Sequence, residues 1–169
     1  MNRISALKTI VTIAFIISVI TVFFGIPFTL ILAVAQDRIP QSISNISANH
    51  LRGTGAVLYL LLTLGSTVFV ALALRTFKDS LTLFEKRIFF DNRVITQLQK
   101  SGKAFVGAAV LTLLSEIASV CFAPAEPGTS GDFSYGPALL LGGLGLLFLV
   151  LGDVFEMARK LKEENDLTV

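Results

Sequence analysis

Apolar positions in this chain fall into four blocks with polar text between them. Ile10 to Ala35, Gly53 to Leu74 and Tyr135 to Gly152 hold no charged residue, and Ala104 to Phe122 holds only Glu116. A helix needs about 20 apolar residues to cross the hydrocarbon core of a bilayer. Backbone polar groups in lipid must pair within their own segment, which selects helices. The pattern therefore predicts an all-α fold: a four-transmembrane-helix bundle with spans at about 10–35, 53–74, 104–122 and 135–152. The first block has a rival reading, because Arg3 and Lys8 precede it and "AVA" at 33–35 has the form of a cleavage site. The apolar part of a signal peptide covers about 7–15 residues. This block is far longer, so a retained helix is expected.

Outside the blocks the periodicity changes from all-apolar to one-sided. Leu74, Phe77, Leu81, Phe84 and Ile88 recur at helical spacing, and so do Ile95, Leu98, Gly102 and Phe105. Each set is one apolar stripe on a helix. Between them lies "FFDN", where Asp91 or Asn92 can cap a new helix. The second helix is thus expected to run beyond its span, turn, and return as the third, making a helical hairpin over about 75–103 that stands outside the membrane. The alternative is a pair of stripes lying flat on the bilayer surface. In the tail 153–169, Leu147, Leu151, Val154, Ala158 and Leu161 continue a stripe out of the fourth span, opposite Asp153, Glu156, Lys160 and Glu163. That predicts a fourth helix extended onto the hairpin. Glu163, Glu164 and Asp166 oppose the negative end of the helix dipole, so fraying is expected near Lys162.

Charge fixes the orientation. Twelve basic residues lie in the N-terminal stretch, the 75–103 link and the tail, against Arg38 and Arg52 alone on the other side. The positive-inside rule then places both termini, the hairpin and the tail in the cytoplasm, and makes the basic link a topology signal in contact with anionic headgroups rather than a nucleic-acid site. Composition agrees: 53% of the 169 residues are hydrophobic, the mean hydropathy is +0.76, and charged residues are 15%, against about a quarter in soluble domains. One cysteine, Cys121, excludes an internal disulfide, and one histidine, His50, excludes a His-based metal site within one chain. Cys121 is expected to be a buried apolar residue. No Ser/His/Asp set, Cys/His cluster, phosphate loop or carboxylate pair is present. No catalytic residue, metal or cofactor is expected, and the protein reads as non-enzymatic.

Glu116 is the one charge well inside a span, and an intramembrane acid is a functional candidate by default. Counting in from the helix ends puts Pro27, Thr63, Gly142, Gly143 and Gly145 near its depth, which would form a ligand or proton site. The structural alternative is a protonated Glu116 hydrogen-bonded to Thr63 or a carbonyl. Asp153 falls at the membrane boundary, within expected reach of Arg75 or Lys103 for an interfacial ion pair. Ala104, Ala108, Ser115 and Ser119 form a small-residue stripe suited to helix packing.

"LFEKRIFFDNRVITQLQKSG", followed by a fourth span and a closing "VFEMARKLKEENDLTV", resembles the bacterial four-helix integral membrane family catalogued as domain of unknown function 2975. The resemblance covers about residues 50 to 169. It implies a multi-pass protein of the bacterial inner membrane with no established chemistry. It also implies an association with a small helix-turn-helix regulator of the phage-repressor type. Together these lead to a membrane protein acting through protein contacts, holding or signalling to such a regulator. The candidate contacts are Lys86, Arg87, Phe89 and Asn92 of the hairpin and Asp166, Leu167, Thr168 and Val169 of the tail. Two other functions fit the residues: a small proton-coupled transporter or lipophilic-ligand binder using Glu116, and an immunity protein against a membrane-active peptide. A homo-oligomer is compatible with each.

Overall fold

A computed structural model describes residues 2–34, 54–86, 91–122 and 134–166. They form four helices: α1 (Asn2–Val34), α2 (Thr54–Glu85), α3 (Asn92–Cys121) and α4 (Gly136–Asp166). Their lengths of 33, 32, 30 and 31 residues give about 45–50 Å each at 1.5 Å per residue. That exceeds the ~30 Å hydrocarbon core. All four are long and apolar enough to cross a membrane. α1 starts eight residues before the predicted span, and α2 runs eleven residues past Leu74 without a break.

The helices pack in series as antiparallel neighbours, α1 on α2, α2 on α3 and α3 on α4, and α4 also meets α2 through aromatic rings. The core lies between α2, α3 and α4 near the end where α3 begins. It consists of Ala73, Val94, Leu98, Phe105 and Phe148, with Leu74, Phe77, Phe84 and Phe155 packed against it. The Phe148 ring is 4.6 Å from Phe77 and stacks on Phe105 at 5.7 Å, and Phe84 meets Phe155 at 5.9 Å. The two stripes read from the sequence face each other here: Leu81, Ile95 and Leu98 are buried. Serine hydroxyls tie the same faces together. Ser101 Oγ donates to Ala73 O at 3.0 Å, and Ser66 Oγ donates to Ala108 O at 3.1 Å and pairs with Thr112 at 2.7 Å. Ala108 and Ser115 of the small-residue stripe are buried, which lets α2 approach α3 closely.

α4 uses a different face from the one its apolar residues predict. Leu147 is 57% and Leu161 66% exposed, and Val154 is exposed with them. The packed side is Ala138, Leu141, Gly145, Phe148, Gly152 and Phe155. The reason is backbone proximity. A Cβ on Gly145 would stand 2.8 Å from Val106 N, and one on Gly152 would stand 2.9 Å from Gln99 Cγ. Only the glycine side can reach α3, so the larger residues turn outward. α4 continues past Lys162 to Asp166. Arg159–Glu163 at 3.3 Å and Lys160–Glu156 at 3.0 Å bridge i and i+4 across these turns and offset the acid at the helix end. Cys121 is exposed rather than buried, since it falls at the last position of α3 on the side away from its neighbours.

Candidate functional site

An open groove lies at the tip of the α2–α3 hairpin. α2 closes with Lys86 N donating to Leu83 O at 3.1 Å. α3 opens on Asp91, whose extended backbone and side chain make it the N-cap. Its Oδ1 accepts from Arg93 N at 2.8 Å, and its carbonyl accepts from Val94 N at 3.0 Å. An N-cap satisfies donors that the first helical turn leaves open. Between the two helix ends is a groove of about 630 Å³ lined by Asp79, Thr82 and Leu83 of α2 and Asp91, Asn92, Arg93, Thr96 and Gln97 of α3. The threonine hydroxyls donate back into their own helices, Thr82 to Lys78 O and Thr96 to Asn92 O. Gln97 Oε1 is buried and accepts no hydrogen bond from a described residue. Two carboxylates, one guanidinium and two amides around an open groove can bind a polar partner by directed hydrogen bonds.

Of this groove the sequence reading had only Asn92 among its candidate contacts. Asp79, Thr82 and Leu83 lie off the Phe77–Leu81–Phe84 stripe, and polar residues one face away from an apolar stripe look like ordinary solvated surface. Lys86 is exposed on the turn beside the groove. Arg87, Phe89, Leu167, Thr168 and Val169 lie outside the described residues, and Asp166 is described as the last residue of α4.

The intramembrane candidates do not converge. Glu116 is half-buried on α3, and no described residue gives its carboxylate a hydrogen bond or ion pair. Thr63 Oγ1 donates to Tyr59 O of its own helix at 2.8 Å, so the expected Thr63–Glu116 bond is not formed. Pro27 is exposed on α1, which packs on α2 and not along α3. Gly142 stands against Ala109, and Gly145 against Val106 and Gly102. These positions are about 10–20 Å down α3 from Glu116 at 1.5 Å per residue, because the tight α3–α4 contact shifts α4 relative to a count from the helix ends. Gly143 has nothing near it. The expected interfacial ion pair is also absent. Asp153 Oδ1 accepts from Gln99 Nε2 at 3.3 Å, while the exposed Arg75 and Lys103 form no ion pair with a described residue. A glutamine one turn away on the facing helix reaches the carboxylate first.

Among the described residues no group of three His, Cys, Asp or Glu side chains could hold a metal. Four serially packed apolar helices with a polar hairpin tip define a multi-pass helical membrane protein. Residues 33–169 match the model of a family described as "Protein of unknown function (DUF2975)", and the chain belongs to that family. No curated protein and no solved structure matches it.

Proposed function

We propose that the protein is a non-enzymatic inner-membrane docking module that binds a small cytoplasmic protein at its hairpin tip. The observation that carries this reading is the groove between the ends of α2 and α3, lined by Asp79, Asp91, Asn92 and Arg93. A partner that pairs with the exposed Arg93 guanidinium and is met by the Asp79 and Asp91 carboxylates is held there by directed, charge-assisted contacts. The excess of Lys and Arg at this end directs it to the cytoplasm under the positive-inside rule. The family's association with small helix-turn-helix regulators makes such a regulator the first partner to test, with the tail 166–169 as a second contact.

The test is co-purification in mild detergent of the tagged full-length chain, of an Arg93→Glu/Gln97→Ala variant, and of a chain ending at Leu161. A small DNA-binding protein recovered with the full-length chain and lost from the tip variant, at unchanged thermal stability, is the expected result. Equal recovery with the tip variant overturns the groove as the contact. Loss only from the shortened chain moves the contact to the tail.

A further inference from the structure

The two tyrosines of the chain and the one charge inside its spans fall at a single level, on three different helices, at the end away from the hairpin tip. The helix contacts set that level. Between α3 and α4, Gly142 stands against Ala109 and Gly145 against Val106. The helices are antiparallel, so the same register carried seven residues along α3 from Ala109 brings Glu116 level with Tyr135, just before α4. Between α2 and α3, Ser66 meets Ala108 and Thr112, and a Cβ on Gly55 would meet Phe122. That register puts Tyr59 within about 3 Å of the level of Glu116 at 1.5 Å per residue. The faces agree as well, because residues four or seven apart share one side of a helix. Glu116 is seven residues from Ala109, which faces α4, and four from Thr112, which faces α2. Tyr59 is seven residues from Ser66, on the side of α2 that meets α3. Glu116 and Tyr59 are half-buried, and Tyr135 is 57% exposed.

Glu116 has no counter-charge at this end. Residues 10–34, 54–74, 104–122 and 134–152 hold no other charged side chain, and from Ala104 to Ala158 the sequence contains no Lys, Arg or His. Hydrocarbon cannot replace the water that a carboxylate loses. An ionisable residue within a span is a binding candidate for that reason. One carboxylate is too few ligands for a metal, and no group of three His, Cys, Asp or Glu lies among the described residues. An acid between two aromatic rings suits an organic cation instead: the carboxylate supplies the charge and the ring faces attract the ammonium. Apolar surface leads on from the site. Leu140 and Leu144 of α4 are exposed, and Phe148 beyond them closes on Phe77 of α2 at 4.6 Å.

We infer that Glu116, Tyr59 and Tyr135 form a site for an alkylammonium group, its head on Glu116 between the rings and its apolar body along Leu140 and Leu144. A lipid with an ammonium headgroup and a free cationic amphiphile both carry this chemistry. The site is at the opposite end of the molecule from the hairpin groove and is independent of the docking reading.

The test uses the tyrosines as the reporter, since the chain has no tryptophan. Full-length protein in a neutral maltoside detergent is titrated with dodecyltrimethylammonium, and separately with dodecanol as an uncharged probe of the same tail, while tyrosine emission is followed. A saturable response to the ammonium and none to the alcohol is expected. Glu116→Gln should weaken it by roughly tenfold or more, and Glu116→Asp should keep it within a few-fold. No saturable response, or an equal one to dodecanol, overturns the proposal whether or not the variants fold. An unchanged midpoint in a Glu116→Gln protein of native thermal stability also overturns it. Added phosphatidylethanolamine that abolishes the response, where phosphatidylglycerol does not, supports the site with a lipid headgroup as its occupant. A response that survives both lipids supports it with a free amphiphile.

Discussion

The close approach of α3 and α4 depends on the absence of two side chains, at Gly102 and Gly145. A Cβ on Gly102 would be 2.8 Å from Gly145 O and 2.9 Å from Leu149 N, whereas one on Gly143 would meet nothing within 4 Å. Backbone atoms cannot swing away as a flexible side chain can. Gly102→Ala therefore forces α3 and α4 apart and is expected to cost about 1–3 kcal/mol by overpacking. Gly143→Ala should be neutral or gain up to about 1 kcal/mol, since it removes a glycine from a helix interior. Thermal unfolding of the two variants in the same detergent checks the pair. A lower midpoint for Gly143→Ala than for Gly102→Ala would remove the close α3–α4 approach from this account. The same contact explains why the sequence misplaced the glycines relative to Glu116. Depth counted from helix ends assumes equal offsets, and a glycine contact fixes its own.

Element faces were legible where apolar residues compete with polar ones, and illegible where nothing competes. In α2 and α3 the stripe Phe77–Leu81–Phe84 and the stripe Ile95–Leu98–Phe105 alternate with Lys78, Asp79, Arg93 and Lys100, so the period carries a phase, and both stripes are found in the core. In α4 the residues 138–152 are apolar all round, and hydropathy then carries no phase. The phase is set by Gly145 and Gly152 together with Phe148, and bulk is the wrong guide because the largest exposed residues point outward. This gives a direct comparison between adjacent residues of α4. Phe148 is 8% exposed against two other rings, while Leu147 has no such partners. Phe148→Ala is expected to destabilise by about 3 kcal/mol or more through the cavity it leaves. Leu147→Ala should stay within about 0.5 kcal/mol, as surface changes do. Denaturant titration of the two variants decides it, and equal losses would restore the stripe first read from the sequence.

At the scale of the whole molecule, the registers between helices make one prediction that the sequence could state only as a count of charges. Ser101–Ala73 and Gln99–Asp153 place Arg75, Lys103 and Asp153 near one level on three separate helices. Ser134, just before α4, falls at the opposite end of the molecule. These levels follow from packing and are independent of the positive-inside argument, so labelling can separate the fold from its orientation. Single cysteines at Arg75, Lys103, Asp153 and Ser134, each in the Cys121→Ser background, are exposed to a membrane-impermeant maleimide before and after permeabilising the cells. The first three are expected to react only after permeabilisation, and Ser134 to react in intact cells. The reverse pattern would keep the packing and invert the protein in its membrane, moving the hairpin groove away from any cytoplasmic regulator. A split among Arg75, Lys103 and Asp153 would contradict the helix registers themselves, because three residues held level by inter-helix hydrogen bonds cannot lie on two sides of a bilayer.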